Sequence, residues 1–314
     1  MILITGGAGF IGSNLAEKLI CEGENIVIFD NFSSGRREFI QDFIRDVELF
    51  EGDLLEKSAL EKLFSSAKID FVYHVAANPD VRIGVNDPGL HLEQNVIATY
   101  NLLEAMRRHG VRDIAFTSTS TVYGEAKVMP TPEDYGPLLP ISTYGASKLA
   151  AEALIAAYTH TFDMKAWIFR FANVVGKRST HGVIFDFIKK LEKNPQELEI
   201  LGDGRQEKSY LMITDCIEGM LFAVKNARDA VNIFNLGSKD TINVTGIADI
   251  VVSEMGLFDV TYKYTGGSRG WKGDVVRMML SIDSLMQMGW EPRYNSAASI
   301  RAATRYLLDA SNTF

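Results

Sequence analysis

The chain has 314 residues, 46% of them hydrophobic and 23% charged, enough to bury a large core in one large or two smaller domains. Its formal net charge of −8 gives a nucleic-acid partner no electrostatic support. No apolar run reaches the roughly 20 residues that cross a bilayer, and no basic segment precedes an apolar one as in a secretory leader, so a cytoplasmic protein is expected. Cys21 and Cys216, one in each half, read as packed thiols rather than a disulfide, and the five histidines show no ligand spacing, so no metal is expected.

The first dozen residues organise the rest. Ile2-Leu-Ile4 is a short apolar run closed at once by glycine, which predicts a buried parallel strand. Gly6, Gly9 and Gly12 then recur every three residues, and an amphipathic helix follows with Ile11, Leu15, Leu19 and Ile20 on one side. Glycines at this spacing allow a tight turn, close approach of backbone to a pyrophosphate and close helix–strand packing, and the free N–H groups of the helix start face the phosphates. The second apolar run, Ile26-Val-Ile-Phe-Asp30, ends in a carboxylate at about the distance expected for an acid that bonds an adenosine ribose. Such an acid repels a 2′-phosphate and favours NAD over NADP.

Next comes the polar loop Asn31-Phe-Ser33-Ser34-Gly35-Arg36-Arg37, whose arginines read as solvated. A third strand, Val47–Phe50, is closed by Glu51-Gly52-Asp53-Leu54. Asp53 either bonds the adenine amine or caps a helix over Leu55–Phe64; its place at a strand's carboxyl end favours the cofactor. A fourth strand, Ile69–His74, runs into the small residues Val75-Ala76-Ala77, and a helix is predicted from about Gly89 to Arg108; Asn95 inside it reads as a buried polar anchor ahead of a solvent-facing residue. A fifth strand, Asp113–Thr117, leads into Ser118-Thr119-Ser120-Thr121. Strand–helix alternation without hairpin signals predicts an α/β doubly wound parallel sheet of Rossmann type.

Residues 124–141 hold four prolines without periodicity and read as a long ordered loop. Ser142 or Thr143 then caps a thin, alanine-rich helix to about Phe162, which puts Tyr144 and Lys148 on one face, one turn apart. Tyrosine is a poor base at neutral pH, but an ammonium group one turn away and the positive charge of an oxidised nicotinamide both favour the phenolate. Tyr144 and Lys148 thus form a candidate base, with a bridging hydroxyl supplied by the 118–121 strand end. After a sixth strand, Lys165–Phe171, the alternation loosens, which predicts an NAD-binding domain over residues 1–172 and a smaller mixed α/β lobe over 173–314, not fully separate.

Thr5-Gly-Gly-Ala-Gly-Phe-Ile-Gly12, Asp30-Asn31, Gly52-Asp53-Leu54, His74-Val-Ala-Ala77, Ser118–Gly124 and Tyr144-Gly-Ala-Ser-Lys148 together resemble the extended short-chain dehydrogenase/reductases, in family order over nearly the whole chain. Within that family, Asp30–Arg37, Arg170–Gly176, Arg178–Ile184 and Gly202-Asp-Gly204 are most similar to the 4-epimerases of UDP-glucose and UDP-galactose. The resemblance implies bound NAD, contacted by the glycine loop, Asp30 to Gly35, Asp53-Leu54, Val75 to Ala77, Asn95, Ser118, Tyr144, Lys148 and Phe171. It implies catalysis by Thr119, Tyr144 and Lys148, and sugar-nucleotide contacts at Thr119, Asn173, Val183, Lys208 and Asp274. The arginine usual before the late Gly-Asp turn is replaced by Trp271, with Arg269 two residues earlier, and Lys208 stands where arginine is usual. Dehydratases of the family carry an acid pair where this chain has Ser120 and Thr121, and the glutamate of its decarboxylases is also missing, so 4-epimerisation is expected ahead of other nucleotide-sugar chemistry, including N-acetylglucosamine or uronate epimerisation. A non-catalytic NAD-binding regulator has no use for a Tyr–Lys base. The family pairs the helices matching 89–108 and 143–162, which implies a homodimer.

Overall fold

The computed structural model describes residues 1–81, 83–271 and 273–311. The chain divides into two compact units: Met1–Gly124, Leu138–Arg170 and Met220–Phe234 form the first, and Glu125–Pro137, Phe171–Gly219 and Asn235–Phe314 the second.

The first unit carries strands β1 (Ile2–Thr5), β2 (Ile26–Asp30), β3 (Val47–Glu51), β4 (Phe71–His74), β5 (Asp113–Thr119) and β6 (Lys165–Phe171). With the strand Val231–Leu236 they make a seven-stranded sheet in the order Val231–Leu236, β6, β5, β4, β1, β2, β3. β1 pairs in parallel with both β2 and β4, β2 with β3, and β4 with β5. The order reverses at β1, so the carboxyl ends of β1 and β4 flank the crevice where ligands of such sheets bind. β2 is buried along its whole length because helices cover both faces, and that is why it reads as a continuous apolar run. Leu3, Val27, Val72, Ile114, Phe116, Ile155 and Ile168 are among the side chains of this unit's core.

Helices α1 (Phe10–Cys21), α2 (Lys57–Ser66), α3 (Pro88–His91), α4 (Ala98–Arg108) and α5 (Thr143–Thr161) connect the strands. Sequence periodicity predicts one helix over 89–108; the structure inserts a π-helical stretch, Leu92–Ile97, between α3 and α4. The wider turn places Asn95 in the interior, where its side chain bonds the 78 backbone and Ser147. Such insertions are common at functional sites. Ser142 caps α5, its Oγ accepting from the Gly145 N–H at 3.1 Å.

The second unit has its own core, with Phe187, Ile188, Leu198, Ile247, Val251 and Ile300 among its members. Its strand Asn173–Val175 pairs in parallel with Tyr210–Met212, and a short sheet runs Ile242–Asn243, Glu207–Lys208, Arg277–Met278. Residues 220–234 return to the first unit although they follow residues 171–219 of the second, and 125–137 leave it. Among the described residues no helix is long and apolar enough to cross a membrane.

Candidate active site

The glycine loop is shaped by steric necessity. Gly6 has φ +69°, and a Cβ there would sit 2.8 Å from the Ala76 backbone. A Cβ on Gly12 would lie 2.1 Å from the Gly6 carbonyl oxygen, so helix α1 can approach the turn only without one. Gly9, extended at φ −82°, precedes the helix and makes no side-chain cap, which leaves the N–H groups of Phe10, Ile11 and Gly12 to a ligand anion. The loop is tied down by Gly6 N–H donating to the Phe29 carbonyl and Gly9 N–H to that of Gly6.

At the end of β2, the Asp30 carboxylate accepts from the Ala8 N–H at 2.9 Å and the Phe32 N–H at 2.8 Å. Burial raises its pKa and the two backbone N–H groups oppose that rise. Each carboxylate oxygen retains capacity for a ribose hydroxyl. Gly35 packs so closely that a Cβ would meet Asp30 Oδ1 at 2.8 Å. Asn31 Nδ2 donates to Asp53 Oδ2 at 2.8 Å and Asn31 Oδ1 accepts from the Ser33 N–H; Ser34 follows on the same turn. Asp53 does not cap a helix: Oδ1 takes the Leu55 N–H, while α2 starts at Lys57 behind Glu56. The Leu54 carbonyl accepts from Asn101 Nδ2.

At the end of β4, a buried chain of hydrogen bonds runs from Thr5 Oγ1 to His74 Nδ1 (2.8 Å), from His74 Nε2 to Thr99 Oγ1 (2.8 Å), and on to the Asn95 carbonyl. Val75 N–H donates to the Thr5 carbonyl and Ala76 N–H to the Thr5 hydroxyl, while Ala77 continues the loop to Asn78, which Asn95 holds. Burial, with the Lys148 charge second, pushes His74 down to about 3 and keeps it neutral. Sequence reasoning names this histidine only within the His74–Ala77 motif and gives it no role; a lone imidazole at the end of an apolar strand is the available signal.

The third group surrounds α5. Thr119 ends β5 and hydrogen-bonds Tyr144. Thr119 Oγ1 also lies 3.1 Å from Thr121 Oγ1. The His91 ring packs edge-on against Tyr144 at 5.7 Å between centroids, a contact the sequence does not suggest. Lys148 is fully buried, its Nζ 4.2 Å from the centre of the Phe116 ring. Burial lifts the Tyr144 phenol to about 12, with the Thr119 hydrogen bond opposing, and pushes Lys148 down to about 7, with Glu152 opposing. Desolvation is the larger of the two influences on the phenol. Ser118 turns its hydroxyl to the Glu152 carboxylate. Glu152 in turn pairs with Arg170, which also donates to the Tyr123 hydroxyl at 3.0 Å. Sequence reasoning does not single out Glu152 and Arg170 as functional, although a charged residue inside the apolar run Trp-Ile-Phe-Arg-Phe demands a buried partner. Phe171, also buried, follows Arg170 at the end of β6.

The remaining expected residues lie in the second unit. Asn173 Nδ2 donates to the Ser209 carbonyl at 3.1 Å, and Val183 opens a helix behind Gly182. Lys208 Nζ and Asp274 Oδ1 form an ion pair at 2.5 Å. Arg269 donates to the Asp274 carbonyl at 2.5 Å and pairs with Glu125, and Gly270 N–H reaches Asp274 Oδ2. The structure thus joins Lys208, Arg269 and Asp274 in one cluster, to which it adds Glu125 from the proline-rich loop. Asn173 and Val183 make no hydrogen bond to that cluster that the structure records. Among the described residues no three His, Cys, Asp or Glu side chains gather as metal ligands.

Known proteins of the same build place these features in context. A crystal structure of a UDP-galactose 4-epimerase superposes with a TM-score of 0.89 at 42% identity, covering 98% of this chain and 99% of that one. The UDP-glucose 4-epimerase of Thermotoga maritima, solved with UDP-glucose, gives 0.90 at 30% identity over 99% of each chain. That of Thermus thermophilus, solved with NAD, gives 0.88 at 31% identity over 98% and 99%. Residues 2–237 match the model of the NAD dependent epimerase/dehydratase family. With the reversed strand order, the glycine turn and the Thr119–Tyr144–Lys148 grouping in hand, this chain belongs to the NAD dependent epimerase/dehydratase family.

Proposed function

We propose that the chain is an NAD-dependent 4-epimerase of a UDP-hexose, interconverting UDP-glucose and UDP-galactose. The observation that carries this reading is the Thr119 hydroxyl hydrogen-bonded to Tyr144 at the carboxyl end of β5, with Lys148 one turn further along α5. The loop fits the dinucleotide: Gly6 and Gly12 admit no Cβ, the first N–H groups of α1 are uncapped, and the Asp30 carboxylate rejects a 2′-phosphate. When bound, NAD supplies a reversible acceptor for the hydride at C4 of the sugar.

Tyr144 takes the proton of the 4-hydroxyl and later returns one. Thr119, bonded to that phenol, holds the hydroxyl in line. Lys148 lowers the cost of the phenolate by its charge. Ser120 and Thr121 bring no acid to eliminate water, so a 4-keto sugar formed here can only be reduced again, on either face. Lys208, Arg269, Asp274, Asn173 and Val183 are assigned to the nucleotide sugar, and the cluster around Asp274 supplies two cations for a diphosphate.

We read the protein as cytoplasmic and as a homodimer; the second part is supported by the exposed Leu92, Ile97 and Tyr100 within 89–108 and by Phe162 just after α5. Incubation with UDP-glucose, with products identified by NMR, should give UDP-galactose. A 4-keto-6-deoxy sugar, a pentose or no reaction with any UDP-sugar would overturn the assignment.

A further inference from the structure

One buried ionisable group has no part in the chemistry just described. Glu152 follows Tyr144 and Lys148 on α5 at the same four-residue interval, so the three share a face. It is 5% exposed, and its neighbours Arg170 and Ser118 are each 3% exposed. Arg170 reaches it through Nε (3.1 Å to Oε1) and Nη2 (2.8 Å to Oε2), a bidentate fork from β6, and the Ser118 hydroxyl donates from β5. A carboxylate fixed by both neighbouring strands cannot swing away when the site changes. Among the described residues Lys148, 2% exposed, has no carboxylate of its own in hydrogen-bond contact; its ammonium lies over the face of Phe116. An ammonium in such surroundings needs a nearby counter-charge to keep its proton.

We propose that Glu152 is a positioning residue for the epimerase reaction: clamped by Arg170 and Ser118, it is the fixed counter-charge that keeps Lys148 an ammonium beside Tyr144. The proposal rests on the epimerase reading for its consequence in catalysis, but the charge state of Lys148 can be measured without turnover. The groups facing Lys148 are Tyr144 and Glu152 on its own helix, Phe116 of β5 and the neutral His74 of β4; those facing Glu152 are Arg170, Ser118 and, through Arg170, Tyr123.

The test is an NMR titration of the full chain labelled with ¹³C at lysine Cε, with Lys148 assigned by the signal lost in Lys148→Met. In Glu152→Gln the Lys148 midpoint should fall by about one pH unit or more. Glu152→Asp, which keeps the charge, should stay much closer to the parent. Arg170→Met, which removes the competing cation and leaves the carboxylate, should move the midpoint upward; this variant decides the matter if Glu152→Gln does not fold. An unmoved midpoint in Glu152→Gln, an equal fall in Glu152→Asp, or no rise in Arg170→Met overturns the proposal. The alkaline limb of kcat for UDP-glucose should shift with the midpoint while KM stays within about twofold, whereas a merely structural role lowers the melting temperature and leaves the pH profile in place. Absence of turnover in the parent would overturn the epimerase reading and leave the titration result standing.

Discussion

Gly12→Ala tests the steric logic of the nucleotide loop, because two opposing effects act at one atom. Gly12 lies in the first turns of α1, where alanine should stabilise the helix by about 0.5–1 kcal/mol. Against this, the new Cβ would stand 2.1 Å from the Gly6 carbonyl oxygen and 2.8 Å from Gly7 Cα, both backbone atoms. Relief needs a shift of about 1 Å, and the loop cannot give it freely: Gly6 N–H is bonded to Phe29, and Gly6 itself abuts the Ala76 backbone. Overpacking of this kind costs about 1–3 kcal/mol, and a 2.1 Å contact with backbone belongs at the upper end, so the net effect is a loss of about 2 kcal/mol even before cofactor is added. Gly9→Ala is the control: its Cβ would meet only the Gly6 oxygen, at 3.2 Å, and its φ of −82° suits any residue. That variant should keep its stability within about 0.5 kcal/mol yet bind NAD at least about tenfold more weakly, because a methyl group then stands where backbone must approach the pyrophosphate. Urea unfolding without NAD and calorimetric titration with NAD measure the two effects separately. A Gly12→Ala protein as stable as the parent, or a Gly9→Ala protein with parental NAD affinity, would refute the reasoning.

Other expectations follow from the same geometry. Tyr144→Phe should lower kcat at least about a thousandfold, with the far-UV spectrum and NAD content unchanged; near-normal turnover would contradict the assignment. Thr119→Ala should cost about ten- to a hundredfold in kcat, since it removes the hydroxyl bonded to Tyr144, and little in KM. His74, held neutral down to about pH 3 in the fold, gains a proton only on unfolding between pH 6.5 and 3; the unfolded chain then binds more protons, and stability falls by about 1.4 kcal/mol per pH unit of acidification from this group. His74→Gln should flatten that slope in unfolding curves taken between about pH 6 and 4, and an unchanged slope would contradict the burial argument. Lys208→Met leaves Asp274, buried in its cluster, without its cation, and should raise KM for the UDP-sugar while Lys208→Arg restores it.

The sheet is legible in the sequence because its inner strands are buried on both faces: apolar runs give β2 and β6 the ends they have in the structure, and misplace β1 and β4 by only one or two residues. What escapes reading is long-range in origin. The π-helical stretch Leu92–Ile97 does not break the apolar spacing of its helix, so nothing local marks it; it becomes visible only through Asn95 reaching Ser147, 52 residues away. The return of 220–234 to the first unit depends on Val231–Leu236 completing the sheet, a pairing that no periodicity announces. Motif spacing picks out Tyr144 and Lys148 because their chemistry is local to one helix, and it narrows the hydroxyl to 118–121 at one strand end; the family resemblance selects Thr119 among them. Glu152 shares that helix, but its role is set by Arg170 on another strand, and the Asp274 cluster draws in Glu125, which precedes its partner Arg269 by 144 residues.

The fate of a label at C4 tests the central claim most directly. UDP-glucose carrying deuterium at C4 should be converted by the holoenzyme to UDP-galactose with the deuterium retained at C4, because hydride leaves that carbon and returns to it within one turnover. Product that has exchanged its label with solvent, label recovered at another carbon, or unchanged substrate after prolonged incubation would contradict the account.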